Sequence, residues 1–463
     1  MVFSSITFLY YFLPLCLLCY FLVPARFQNK ILLVFSLFFY FYGESKYIII
    51  LIFSCILNYY AGQLILKYPK HKKQILIASL LINFGLLFYF KYFNFFITNI
   101  NHIFQTNLPI LQIIMPIGIS FFTFQATSYV IDIYKGEIKP AKNLLDFATY
   151  LTLFPQLIAG PIVRYETVEQ EMNKRTTNPP LIAKGLKRFI LGLGKKVLIA
   201  NLLGAFAEDL STLVTPTLLS FWLKALAYTF QIYYDFSGYS DMAIGLGFIF
   251  GFHFLENFNY PLTAKSITDF WHRWHISLST WFRDYLYIPL GGNRHGKKKQ
   301  IRNILIVWLA TGLWHGASWN FIIWGLYFGI LLLIEKFILQ KFLDKHKILA
   351  HISTFILILL SFVIFETDSI SDIIFFFKRL FDLTKPFTTI ETNFYLKNYF
   401  IILCIAFIGM GPWLKRLYNK LNNTAIGQKI LNILEPISLM ILLFIITSFI
   451  IDDSYNPFLY FRF

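Results

Sequence analysis

Apolar runs of about twenty residues, interrupted by short polar stretches, recur along the whole chain. They fall at about 5–23, 30–42, 47–66, 74–96, 110–130, 144–160, 182–206, 217–234, 238–255, 304–334, 349–365, 397–413 and 435–451. A helix needs about 20 apolar residues to cross the hydrocarbon core, whereas barrel strands alternate over about 10. The pattern therefore predicts an all-α, polytopic integral membrane protein and excludes a barrel. Several runs suit re-entrant or interfacial helices, which leaves about eleven transmembrane crossings. No internal repeat, low-complexity tail or linker divides the chain, so it reads as one membrane domain over residues 1–463.

One run departs from the rest. Ile304 to Ile334 is charge-free for 31 residues, which as one helix would measure roughly 46 Å against a core of roughly 30 Å. A break is expected at its Gly- and polar-rich centre, Thr311-Gly-Leu-Trp-His-Gly-Ala-Ser-Trp-Asn320. That places His315 and Asn320 within the membrane. Polar groups at such depth are costly unless they face protein or a water-filled cavity, which makes both candidate functional residues. An imidazole there can do acid–base chemistry near neutral pH.

Composition agrees with the membrane reading. Hydrophobic residues are 57% of the chain and charged residues 14%, about half the charged share of a soluble domain. The net charge of +17 does not indicate nucleic acid, because the basic residues cluster in short loops and act as topology signals. Arg26 and Lys30 follow the first run and Lys67 to Lys73 the third, while Gly43-Glu-Ser-Lys46 between them is nearly neutral. This alternation puts the N-terminus outside and the first and third loops inside. The first run lacks a basic leader and a small-residue cleavage site, so it is expected to be a retained span. The most basic loop, Arg294 to Arg302, is then cytoplasmic. His315 lies 13 residues beyond Arg302, roughly 20 Å if helical. The largest polar insertion of the first half is Arg164 to Pro180. Cys16, Cys19, Cys55 and Cys404 sit in apolar segments without metal-like spacing, and no disulfide framework is indicated.

Between Tyr233 and Asn320 the chain changes character, and five of nine His and seven of nine Trp fall between Gly251 and Trp324. Read as a helix, Trp271, Trp274, Leu278, Trp281 and Tyr285 form an aromatic face, with His272, His275 and Ser279 on an adjacent stripe. An amphipathic interfacial helix is the bland alternative. Arg283 and Asp284 read equally as a plain ion pair, and Asp235 and Asp241 as helix caps around Gly238. No carboxylate cluster accompanies His272 and His275, so neither a metal site nor an axial haem site is favoured.

The runs Phe154-Pro-Gln-Leu-Ile-Ala-Gly-Pro161, Tyr234 to Asp241, Phe270 to Arg294, Gly312 to Trp319 and Asn456 to Phe463 closely resemble the membrane-bound O-acyltransferase family. They are most similar to its bacterial branch of alginate and peptidoglycan O-acetyltransferases. The resemblance implies that family's fold, with a catalytic core at about 110–335 flanked by spans in 1–109 and 336–463. It implies transfer of an acyl group from a thioester to a hydroxyl, with no metal and no tightly bound cofactor. The family's membrane histidine falls on His315, the expected general base. A second active-site position, often Asn in eukaryotic members and His in this branch, falls on His275, which would orient the donor or stabilise the tetrahedral intermediate. Trp274, Trp314 and Asn320 would shape the pocket, and Arg283 and Asp284 would support its geometry. Arg294, Lys297, Lys298 and Lys299 would meet the phosphates of a cytoplasmic donor such as acetyl-CoA. The expected acceptor is an alginate-like exopolysaccharide or peptidoglycan outside the bacterial inner membrane, reached directly or through a periplasmic partner. A D-alanyl transferase to teichoic acid and a non-enzymatic transporter or flippase of an acylated intermediate are the alternatives.

Overall fold

Every regular element among the described residues, 1–452 in this computed structural model, is helical. The Asn456 to Phe463 motif lies outside them. In chain order the helices are α1 (Thr7–Leu22), α2 (Ala25–Gly43), α3 (Ile48–Lys67), α4 (Pro69–Phe104), α5 (Ile119–Lys135), α6 (Leu144–Thr152), α7 (Phe154–Leu157), α8 (Tyr165–Asn173), α9 (Pro179–Ser211) and α10 (Leu218–Phe250). There follow α11 (Ile267–Trp271), α12 (Ile276–Phe282), α13 (Lys297–His315), α14 (Trp319–Lys345), α15 (Lys347–Glu366), α16 (Ile370–Leu380), α17 (Ile390–Gly409), α18 (Trp413–Asn422) and α19 (Ala425–Asp452). Seven of these, α3, α4, α9, α14, α15, α17 and α19, are long and apolar enough by length and composition to cross a membrane, and α1 is a shorter apolar helix. The protein is a multi-pass membrane protein.

Three expectations about the runs are corrected. Residues 110–130 do not begin helical. Pro109 and Pro116 interrupt the backbone, Asn94 and Asn101 accept hydrogen bonds from the Leu111 and Leu108 N–H groups, and α5 starts only after Gly118, at φ 77°. Residues 144–160 are not one span, because Leu153 is extended and Pro155 opens the short α7, where its missing N–H costs nothing. The runs at 217–234 and 238–255 meet in one helix, α10, which continues unbroken through Gly238 and ends at Phe250.

The chain forms two compact units, Met1–Phe189 with Met242–Leu255, and Ile190–Asp241 with Glu256 onward. In the first unit, α3 and α4 are joined by reciprocal amide hydrogen bonds between buried Asn58 and Asn83, at 2.8 and 3.1 Å. Such pairs hold helices together where lipid supplies no hydrophobic contrast. From the polar insertion after Arg164, Arg175 reaches Tyr20 and Asn29 and stacks on Phe252. Glu171 accepts the His253 N–H.

In the second unit, Asp235 and Asp241 of α10 do not cap helices. They pair with Lys196 and Lys195, each at 2.7 Å, and the Lys196–Asp235 pair is buried. Gly238 lies between these aspartates, and a Cβ there would stand 2.8 Å from the Gly192 carbonyl oxygen. The glycine that looked like a break is a point of close helix approach. Breaking a buried ion pair by removing one partner costs roughly 3–5 kcal/mol, so the Lys196–Asp235 bond fixes this register.

The predicted break in the 304–334 run is present at Gly316–Ser318, between α13 and α14. These two helices approach without intervening side chains. A Cβ on Gly312 would stand 2.3 Å from the Phe321 carbonyl oxygen, and one on Gly325 would stand 2.3 Å from that of Trp308. Gly325→Val should force the helices apart and lower the melting temperature in detergent by several degrees, an overpacking cost of about 1–3 kcal/mol. Gly85→Ala, where nothing lies within 4 Å of the added carbon, should melt like the parent; equal melting of both variants would show that the α13–α14 contact tolerates a side chain.

Candidate active site

Because α13 ends at His315, the imidazole stands at a helix terminus rather than along a face. Gly316 continues in extended backbone, and a Cβ on it would collide with the Phe321 ring. Glycine therefore allows the chain to turn tightly under the histidine. His315 is buried among aromatic rings, with centroids of Trp324 at 4.9 Å, Trp314 at 5.0 Å and Phe365 at 5.3 Å. Asn320 is buried in the first turn of α14, where Ser318 Oγ donates to its Oδ1.

His275 arrives from a different direction. The continuous helix expected over Trp271 to Tyr285 does not form, since α11 stops at Trp271 and α12 starts at Ile276. Between them His275 adopts left-handed backbone, φ 44° and ψ 53°, at a cost of roughly 1–2 kcal/mol for a side chain with a Cβ. The hinge separates the two histidines that a helix would have put on one stripe. His272 is exposed and lines a cavity of about 710 Å³ with Lys265, Arg273, Glu335 and Lys336. His275 is fully buried. Its ring lies 4.7 Å from Phe236 and 5.9 Å from Trp314, so the Trp314 indole neighbours both His275 and His315. Burial alone pushes the His275 pKa down, to about 3, so the ring is neutral.

Two buried residues that sequence reasoning missed position this hinge. Asn257, in the loop after α10, presents Oδ1 to His275 Nδ1 at 3.2 Å and accepts from Ser277 N–H and Oγ. Glu335, on α14, accepts the Ile267 and Thr268 N–H groups at the start of α11, at 2.5 and 3.1 Å. A carboxylate at a helix N-terminus satisfies donors the helix itself cannot. Neither residue belongs to a local pattern; each acts across a gap in sequence.

The other expected residues separate into groups. Trp274 is buried against Phe258, Phe270 and Phe362, and Phe236 borders both Trp274 and His275. Arg283 and Asp284 bond each other at 2.6 Å on a π-helical turn after α12, with the arginine side chain 59% exposed. Arg294 and Lys297–Lys299 are exposed. The lysines form the first turn of α13 rather than a loop, at the end of a helix dipole that disfavours cations. Helix stability does not explain them. Eighteen residues of continuous helix separate Lys297 from His315, about 27 Å. Chemically, the site is a buried aromatic cluster holding two imidazoles, suited to moving a proton and to strong electrostatics in low dielectric.

Comparison with known proteins agrees with the motifs. The model of the MBOAT, membrane-bound O-acyltransferase family matches residues 140–367. The chain is 43% identical over 378 residues to a probable alginate O-acetylase of Azotobacter vinelandii, covering 80% of this chain and 76% of the relative. It is 38% identical over 409 residues to the peptidoglycan O-acetyltransferase of Helicobacter pylori, covering 80% and 78%. To the teichoic acid D-alanyltransferase of Bacillus subtilis it is 31% identical over 283 residues, covering 57% and 71%. Long matches of this strength, together with an all-helical membrane fold, make the chain a member of the membrane-bound O-acyltransferase family, and an acyltransferase.

Proposed function

We propose that this enzyme O-acetylates a cell-envelope polysaccharide, alginate-like or peptidoglycan, taking acetyl groups from a cytoplasmic thioester across the bacterial inner membrane. The observation that carries the reading is the pair of buried imidazoles sharing the Trp314 indole, about 27 Å along one helix from three exposed lysines. Donor binding at one face and hydroxyl delivery at the other fit that separation. The first named relatives act on alginate and peptidoglycan, which supports acetyl rather than D-alanyl transfer.

In the reaction the acceptor oxygen attacks the thioester carbonyl, and His315 takes the hydroxyl proton as the C–O bond forms. The tetrahedral intermediate collapses, the C–S bond breaks, and His315 returns the proton to the departing sulfur. The products are an O-acetyl ester and a free thiol. His275 holds a reactant in place for this step, and Trp274, Trp314 and Asn320 shape the chamber. Arg294 and Lys297–Lys299 meet the phosphates of the donor, acetyl-CoA by this reading. Arg283 and Asp284 hold the turn that precedes α13. The acceptor hydroxyl is that of the glycan itself or of a periplasmic partner that passes the acetyl group on.

His315→Ala should abolish acetyl transfer from labelled acetyl-CoA by purified protein while leaving it folded and inserted; normal transfer by that variant would sink the assignment. His275→Ala should lower turnover at least 100-fold by the scale of a lost catalytic group, measured in the same assay, and near-parental turnover would reduce it to a packing residue. Neutralising Lys297, Lys298 and Lys299 together should raise the apparent KM for the donor several-fold, more so at low ionic strength. An unchanged KM would leave these lysines with topology alone.

A further inference from the structure

The hydrogen bonds around Asn257 fix the chemical form of His275. Asn257 is completely buried, and its backbone carbonyl accepts the Ile276 N–H at 3.0 Å, so the loop is tied to the hinge it faces. The Ser277 backbone N–H, 3.1 Å from the Asn257 side chain, can only donate. The amide atom facing it is therefore the oxygen, and the alternative flip would set two donors against each other. That same Oδ1 faces His275 Nδ1 at 3.2 Å. The Ser277 hydroxyl, 3.5 Å from Nδ1, places its single hydrogen on Oδ1 at 2.9 Å. Facing the amide oxygen, Nδ1 carries a hydrogen. A neutral imidazole has one N–H, so the lone pair is on Nε2.

We propose that Asn257 is a positioning residue that holds His275 as the Nδ1–H tautomer, so that His275 meets the acyl donor as a hydrogen-bond acceptor at Nε2. Of the two roles left open for this histidine, orienting the donor fits and stabilising an oxyanion does not, because an oxyanion needs a donor. The complementary group on the donor is an N–H, as the amides of a pantetheine arm provide. This inference rests on the acyltransfer reading for its meaning, but the tautomer itself does not depend on turnover.

The deciding experiment uses the full chain with ¹⁵N-histidine in lipid nanodiscs, with the His275 signals assigned by difference from His275→Gln. A protonated Nδ1 and an unprotonated Nε2 are expected; a protonated Nε2 overturns the proposal whether or not the enzyme turns over. Asn257→Leu removes the acceptor while keeping a side chain branched at Cγ. It should lose the Nδ1–H signature and raise the KM for acetyl-CoA roughly 10- to 100-fold, the usual cost of losing a partner that orients a histidine. Asn257→Asp keeps an acceptor oxygen and should restore both the tautomer and most of the KM. A leucine variant with parental tautomer and KM refutes the positioning role. If that variant does not fold, the parental tautomer alone decides. Absence of transfer from acetyl-CoA by the parent, with the tautomer as described, counts against the proposed function and not against Asn257.

Discussion

Within the hydrocarbon of a bilayer a polar atom has only the protein to bond with, and several buried polar groups here are paired in ways that meet that constraint. Asn58 and Asn83 exchange their amides, Lys196 closes on Asp235, and Glu335 takes up the donors at the start of α11. In water each contact would be worth little. Inside lipid the alternative is an orphaned group, so each contact fixes a register between helices that apolar packing alone would leave free to slide.

The site depends on two consequences of this economy. Glycines at 312 and 325 bring the α13 and α14 backbones into direct contact, which sets where His315 emerges from its helix. Glu335 then couples the far end of α14 to the hinge that presents His275. One helix thus borders the first imidazole at its start and governs the second from its end. Aromatic rings, those of Phe236, Trp314, Trp324 and Phe365, surround the two imidazoles and give the site its shape.

Local patterns made part of this legible in the sequence. Run lengths revealed the helical membrane class, and the concentration of glycine and polar residues after Thr311 located the break below His315. The motifs around His275 and His315 identified the family. What stayed hidden is non-local. Periodicity suggested one helix from Trp271 to Tyr285, because the hinge depends on Asn257, 18 residues before His275, and Glu335, 68 residues beyond Ile267. Gly238 read as a stop because a sequence shows a glycine's freedom but not the neighbouring carbonyl that requires its missing side chain. Asp235 and Asp241 likewise read as caps until their lysine partners on α9 were in view.

The left-handed backbone at His275 limits which residues this position can accept. Among residues with a side chain, His and Asn are enriched in that conformation, whereas β-branched residues are nearly barred. Histidine and asparagine are also the two residues the family resemblance leads one to expect there. A search for new chemistry at this point of the chain is therefore confined to side chains the turn can carry. Glycine would fit the turn best and relieve its strain of roughly 1–2 kcal/mol, but it would empty the space the imidazole fills beside Phe236 and Trp314, a larger loss.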